Sequence, residues 1–392
     1  MLLTDRLLHT PEGFRDIYND ECLDESAAIE KIMSVFHLSG FENVRTPGLE
    51  YFEVFSKERG SVPGNQMYRY FDADGNTLAL RPDITPAIAR LTARYFNEEA
   101  GTLRFCYSEE TYRNTPGHRG QMKEVIQTGV ELIGDGSVLA DAEVIAVAVK
   151  SLLAVGMKDF KVEIGSAAFL NSLIVRLSLT DEEVIELYHL IDNKNRFALK
   201  ALLAEKSDQI PEDIRNILSD ITEDFGSLGE ILKKSKLKDI LAKTDLKKTE
   251  KALERLIQLE RLLEMYEVID YVSFDLGMVG KLGYYTGIIL RGYTYGSGKA
   301  ILSGGRYDNL VSQFGKNAPA VGMSIDMDEL MSSLSKNGIH PHTAKKMVHI
   351  SVPRKKIGEA IKKREEYFNQ NIASVIEIDD AIADVEIREG EN

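Results

Sequence analysis

The chain has no tryptophan and only two cysteines, Cys22 and Cys106, in 392 residues. Two thiols so far apart form neither a C-x-x-C pair nor a disulfide framework. They read as two buried thiols of a protein kept in a reducing cytosol. No apolar run approaches the roughly 18 residues of a membrane span, and the first residues, MLLTDRLLHTPEG, lack a signal-peptide core. A soluble cytoplasmic protein with no membrane partner is expected. Positive charge is also in deficit. Lys plus Arg is 48 against 62 Asp plus Glu, a formal net charge of −14. Such a chain has no global attraction for a phosphate backbone, so nucleic acid is not an expected partner. Familiar catalytic signatures are missing as well: there is no H-E-x-x-H and no G-x-S-x-G. GSGKA at 296–300 lacks the first glycine of a phosphate loop, Tyr293 standing there, and its Ser/Thr, replaced by Ala300. The seven histidines are scattered, and the nearest pair, His340 and His342, flanks a proline. Neither a metal nor a cofactor is expected. The short basic runs KKTEK and RKK have acidic neighbours and read as solvated helix faces.

What remains is a chain with 43% hydrophobic residues, enough for a substantial core in one large domain or two to three smaller ones. Asp24 to Leu38 reads as an amphipathic helix stopped by Ser39-Gly40. FENVRTP follows as a short strand broken by Pro47. MYRYFDADGNTLALRP reads as a hairpin turning at Asp74 to Asn76. ITPAIARLTARYF is a helix with Thr85 as N-cap and Pro86 at its first position. LRFCYSEETYR and VIQTGVELIG are two further strands separated by the polar loop NTPGHRGQMKE. Residues 181–270 carry only two glycines and one proline, are dense in Leu, Lys and Glu, and read as helical throughout. Their last helix sets Ala252, Leu256, Leu259, Leu263 and Tyr266 on one apolar packing stripe. Strand character returns in VSFDLGMV, YYTGIILRGYTY and KAILSGG, the last two closed by a turn at Gly296-Ser297-Gly298. Adjacent strands joined in this way pair antiparallel, which excludes a doubly wound parallel sheet. Beyond a polar linker near residue 338, MVHISVP, a helix from Lys355 to Asn369 and ASVIEID make a small β-α-β unit, and the chain ends in polar residues. The expected class is α+β: a core over 1–335 with a helical insertion at about 181–270, and a linker and small α/β unit over 336–392.

Polar residues inside strand patterns carry the functional signal. Arg81 and Asp83 follow the apolar strand TLAL, and Arg113 ends LRFCYSEETYR. Side chains alternate along a strand, so Val125, Gln127, Gly129 and Glu131 share one face. If that face looks inward, Asp83 and Glu131 supply two carboxylates, Gln127 an amide, and Tyr284 and Tyr285 phenols, with Gly129 leaving room for a ligand. Buried carboxylates need a cation, from the ligand or an arginine, so such a pocket suits an amino acid bearing an ammonium group and a ring donor. A solvated strand face is the competing reading of each position taken singly.

LALRPDITPAIAR, TYRNTPGHRGQMKEVIQTGVELIG, LGYYTG, and LSGGRYDNL followed by PAVGMSIDMDEL resemble, in order, the signature segments of the histidyl-tRNA synthetase family. FENVRTPGLE resembles the class II motif that builds the dimer interface, and the likeness runs from about Thr10 to Leu330. That resemblance implies a class II synthetase-like core with a mixed, mostly antiparallel sheet flanked by helices. It also implies a histidine pocket. Asp83 would stand where a glutamate meets the ammonium group. Thr85, Gln127 and Glu131 match pocket positions, Arg113 would face the carboxylate, and Tyr284 and Tyr285 would line the imidazole end. Arg306 fits a structural role or a ligand role equally.

The departures fall on the ATP side. The family's catalytic arginine becomes Gly280, and the motif-three arginine becomes Glu329. In the motif-two loop a glutamate becomes Thr115 and an arginine becomes Gln121. Adenylation needs cations aimed at the phosphates, each lost contact costing roughly 3 kcal/mol, so it should be lost, unless Lys281 substitutes one position along. This pattern resembles the regulatory subunits of ATP phosphoribosyltransferase, with LGMVGKLGYYTGIILRGY and LSGGRYDNL closest. That resemblance implies no catalytic residues, self-association as a dimer, L-histidine as ligand, and a hetero-octamer with a short-form catalytic subunit. It further implies feedback control of the first step of histidine biosynthesis. The alternatives are a histidine-activating, synthetase-like enzyme, and a sensor of uncharged tRNA, which the net charge opposes.

Overall fold

The computed structural model describes residues 7–56, 62–115, 122–235, 237–241, 245–280, 284–342 and 346–391. These divide into two compact units, 1–339 and 340–392.

Helix α1 (Asn19–Leu38) opens the larger unit, five residues earlier than its apolar pattern suggests, with Asp20 and Glu21 in its first turn. Acidic residues there meet the positive end of the helix dipole, which accounts for the extension. Strand β1 (Glu42–Asn43) follows. Strands β2 (Leu49–Tyr51), β3 (Arg69–Phe71) and β4 (Thr77–Leu80) make a small antiparallel sheet, β3 and β4 being the expected hairpin. Helix α2 (Thr85–Tyr95) has Ile84, not Thr85, at its N-cap. The Thr85 hydroxyl is engaged elsewhere, on Glu131.

The main sheet has nine strands. Strands β5 (Leu103–Tyr112) and β6 (Glu124–Ile133) lead into helix α3 (Val138–Ala154), strand β7 (Phe160–Ser166) and helix α4 (Ala167–Ile174). A helical segment follows: α5 (Asp181–Asp192), α6 (Arg196–Glu205), α7 (Glu212–Asp220), α8 (Leu228–Lys234), α9 (Leu237–Leu241) and α10 (Lys247–Met265). It is not helical throughout. Phe225–Gly226 forms strand β8, antiparallel to β9 (Val272–Asp275). A two-residue strand has no periodicity to read, and only the partner reveals it. Strands β10 (Ile288–Thr294), β11 (Leu302–Arg306) and β12 (Ala320–Asp326) and helix α11 (Met327–Lys336) complete the unit. The order β1-β5-β6-β12-β11-β10-β7-β9-β8 is antiparallel except where β1 meets β5 and β7 meets β9.

The two sheet faces have different fates. Val130 and Leu132 of β6 join the large helical core with α1, α3 and α10. Helix α3 is buried along most of its length, which explains its nearly continuous Ala/Val/Ile/Leu composition. Ala252, Leu256, Leu259 and Leu263 of α10 are buried in the same core, so the expected stripe is a packing face, with Tyr266 at its margin. The opposite face of β6, with Ile133, packs under α2 beside Tyr107, Tyr284 and Tyr307.

In the smaller unit, β13 (Lys346–Val352), helix α12 (Ile357–Asn369) and β14 (Ala373–Ile378) form the expected β-α-β motif, with the two strands parallel. The polar end is not loop: β15 (Glu386–Glu391) pairs antiparallel with β13. Its charged residues suit an edge strand, so composition hid it. Of the two thiols, Cys106 is buried and Cys22 is exposed on α1; burial pushes the Cys106 thiol up to about 11.

Two arginines that sequence placed among the site candidates hold the scaffold instead. Arg81, 5% exposed, pairs with Glu109 and donates to the Thr46 and Glu110 carbonyls, each at 2.7 Å. Arg306, 2% exposed, donates through Nε to Asp141 Oδ1 at 2.7 Å and pairs with Asp308 at 3.1 Å. Asp141 on α3 is fully buried and also receives Arg255 of α10 at 2.8 Å. This cluster ties β11, α3 and α10 together. Removing one partner of a buried ion pair costs about 3–5 kcal/mol because the other charge stays desolvated. Arg306→Ala should therefore lose on the order of 3 kcal/mol in urea unfolding; a loss below about 1 kcal/mol would contradict this assignment.

Candidate functional site

On the α2 side of the sheet a cavity of about 110 Å³ opens between β6, β11 and β12. Asp83, Thr85, Arg113, Gln127, Glu131, Tyr284 and Tyr285 all line it, together with Tyr307, Ser303, Ser324 and Met323. Each reaches it for a local reason. Asp83 and Thr85 sit at the entry to α2, where Pro86 fixes the helix start. Gln127 and Glu131 lie four residues apart on β6, hence on one face. Arg113 follows the end of β5, with its Nε 3.4 Å from the Pro82 carbonyl.

Glu131 is the most constrained group. It is 1% exposed and accepts from the Thr85 hydroxyl at 2.6 Å on one oxygen and from the Tyr307 hydroxyl on the other. Burial pushes its carboxyl up to about 8; the two hydroxyl donors pull it down, and neighbouring Asp83 pushes it further up. Tyr107, Tyr284 and Tyr307 are raised well above the ordinary phenol range, first by burial and then by nearby carboxylates. They remain neutral donors at any physiological pH. Tyr284 meets Tyr285 edge-on at 5.0 Å and Tyr307 at 5.7 Å. Gln127 is 8% exposed and its Oε1 is a buried acceptor with no hydrogen bond among the described residues. A buried unpaired carbonyl is costly, and a ligand N–H would satisfy it.

Glycines set the shape of the cavity, though not as the sequence suggested. The space beside Gly129 is filled by Tyr107, whose hydroxyl would lie 2.7 Å from a Cβ there, so Gly129 makes room for a ring and not for a ligand. Gly304 and Gly305 of β11 and Gly322 of β12 line the cavity; Gly322 is paired with Glu131, and a Cβ on it would fall 1.8 Å from Glu131 Oε2, so it makes room for that carboxylate. Tyr307 was missed by sequence reasoning. Its signal was the alternation in LSGGRY: Arg306 turns toward α3, so the next residue turns to the cavity.

The positions at which the sequence resemblance implies phosphate-binding arginines have other surroundings. A Cβ on Gly280 would lie 2.8 Å from both Ile289 and Tyr285, so no longer side chain fits without repacking. Glu329, in the first turn of α11, is paired with Lys299 at 3.1 Å. Next to it Asp326 is raised to about 6 by burial, against the Glu329 N–H it caps. Gln121, Lys281, Leu282 and Gly283 lie outside the described residues. Among the described residues no group of three or more His, Cys, Asp or Glu is placed to hold a metal, and no helix is long and apolar enough to cross a membrane.

Known proteins resemble this chain over most of its length. The family described as histidyl-tRNA synthetase matches residues 13–330. An ATP phosphoribosyltransferase regulatory subunit of Clostridium kluyveri is 40% identical over 331 residues, 84% of this chain and 83% of that protein. One of Acetivibrio thermocellus is 38% identical, covering 85% and 78%. Among solved structures, an ATP phosphoribosyltransferase regulatory subunit/histidyl-tRNA synthetase from Bacillus halodurans superposes with a TM-score of 0.84 at 29% identity, over 96% of this chain and 94% of that one.

The raised Glu131 carboxyl has a signed consequence. Unfolded, it releases its proton near 4.5; folded, near 8. Between these values the folded state holds the extra proton, so stability falls as pH rises. Relative to wild type, Glu131→Gln should gain stability on the order of 3 kcal/mol between pH 5 and pH 8.5. Paired thermal melts across that range check it, and parallel pH profiles for the two proteins would refute it.

Proposed function

We propose, on the premise that this chain belongs to the ATP phosphoribosyltransferase regulatory subunit family, that it binds L-histidine and regulates a partner's chemistry without catalysing any itself. One observation carries the reading. The cavity is lined by two carboxylates, an arginine and an amide acceptor that has no hydrogen bond among the described residues, while Gly280 and Glu329 stand where the family resemblance places phosphate contacts. An amino acid with a ring donor complements that pattern. Its ammonium group would neutralise Asp83 and its carboxylate would meet Arg113. Glu131 and Gln127 would accept imidazole N–H bonds, and Tyr284 and Tyr285 would enclose the ring. Charge-assisted bonds in a desolvated pocket are the strong ones, and they discriminate against ligands lacking the ring donors.

A histidine-activating enzyme would need positive charge where the α- and β-phosphates lie, and a carboxylate at Glu329 opposes that charge. The active assembly is then a hetero-octamer with a short-form catalytic subunit, in which this chain is dimeric and cytoplasmic. Feedback follows if histidine binds an inactive quaternary state more tightly than the active one, since a ligand shifts only an equilibrium it discriminates.

Ribosyl transfer by a short-form catalytic subunit, alone and with this protein across a histidine titration, tests the reading. Activity should appear on mixing and fall with histidine, and Glu131→Gln should weaken the inhibition at least tenfold. Activity indifferent to this protein would sink the proposal, and histidine-dependent exchange of pyrophosphate into ATP would replace it with the enzyme reading.

A further inference from the structure

The segment before α1 is tied to the cavity from outside. The Lys123 N–H donates to the Gly13 carbonyl at 2.7 Å, and the Lys123 carbonyl accepts from the Arg113 N–H at 2.8 Å. One residue therefore links the segment to the arginine that lines the cavity. The approach is close: Gly13 has φ +85°, and a Cβ on it would lie 2.6 Å from Lys123 Cγ. Two residues further on, the Arg15 guanidinium pairs with Glu21 at the start of α1 and with Asp328 in the first turn of α11 at 3.3 Å. That helix is capped by Asp326, whose strand position faces Gln127. Residues 7–18 thus form a strap fastened both to the base of the Arg113 segment and to the helix behind Gln127.

The fastening has an electrostatic reason. Glu25 and Asp328 are both half-buried carboxylates raised by burial; the charge of Asp328 raises Glu25 further, while Arg15 lowers both. Among the described residues, Arg15 is the cation that lines this acidic cleft, and it does not line the cavity that contains Arg113. Its influence on a ligand would therefore be exerted through the position of Arg113.

We propose that Arg15 is a positioning residue for ligand binding: by clamping the strap between α11 and Lys123 it fixes Arg113 at the carboxylate end of the cavity. The proposal rests on the functional reading above. A preorganised arginine loses less freedom when a carboxylate arrives, so removing the clamp weakens only ligands that carry that carboxylate.

Calorimetric titration of the full-length protein with L-histidine and with L-histidinol, which lacks the carboxylate, separates this from a merely structural role. Arg15→Ala should weaken L-histidine roughly tenfold and leave L-histidinol within about twofold, and Arg15→Lys should restore most of the loss. Arg15→Gln, of similar length, serves if the alanine variant does not fold. Equal weakening of both ligands, or no change in either, overturns the proposal while the histidine reading stands. Wild-type protein that binds neither ligand overturns the histidine reading and this proposal with it.

Discussion

A carboxylate at 1% exposure, met among the described residues by two hydroxyl donors, is the constraint around which this protein is arranged. Glu131 sits near the end of β6, buried within a nine-stranded sheet, where an ionised group without a cation is expensive. Its neighbours answer that cost locally. Thr85 leaves the capping role its sequence position suggests and turns its hydroxyl inward. Tyr307 points across from the end of β11. Gly322 removes the side chain that would collide with the carboxylate. The remaining cost is carried as a raised affinity for a proton, a state that a cationic or N–H-bearing ligand can relieve.

Charge elsewhere in the molecule is segregated by purpose. Arg81 and Arg306 are consumed by Glu109 and Asp141, so they stiffen the walls and add nothing to the cavity's potential. Among the described residues, Arg113 is the arginine that lines the cavity. At the entry to α11, where the family resemblance places an arginine, Glu329 is matched by Lys299, and the local field no longer favours phosphate.

The strand and helix content was largely legible from periodicity and turn chemistry, because long amphipathic segments such as α10 and paired strands such as β5 and β6 obey one repeat over many residues. What escaped had no repeat to show: the two-residue β8, and the charged edge strand β15. At the site, alternation placed Gln127 and Glu131 on one face but not which face was buried. Gly129 was misread for the same reason, since nothing in the sequence says that Tyr107 fills the space beside it.

The sequence by itself determined most of the elements, the common face of Gln127 and Glu131, the net negative charge, and that Gly280 and Glu329 stand where the family resemblance implies arginines. These follow from residue identity and from periodicities of two and 3.6, which are local properties of the chain. Only the tertiary structure decided which arginines are spent in buried ion pairs, which glycine makes room for the Glu131 carboxylate, and that a segment near residue 15 is bound to a helix beginning at Met327. Those outcomes depend on contacts between residues far apart in the chain, where distance and desolvation, and not residue type, set the energy.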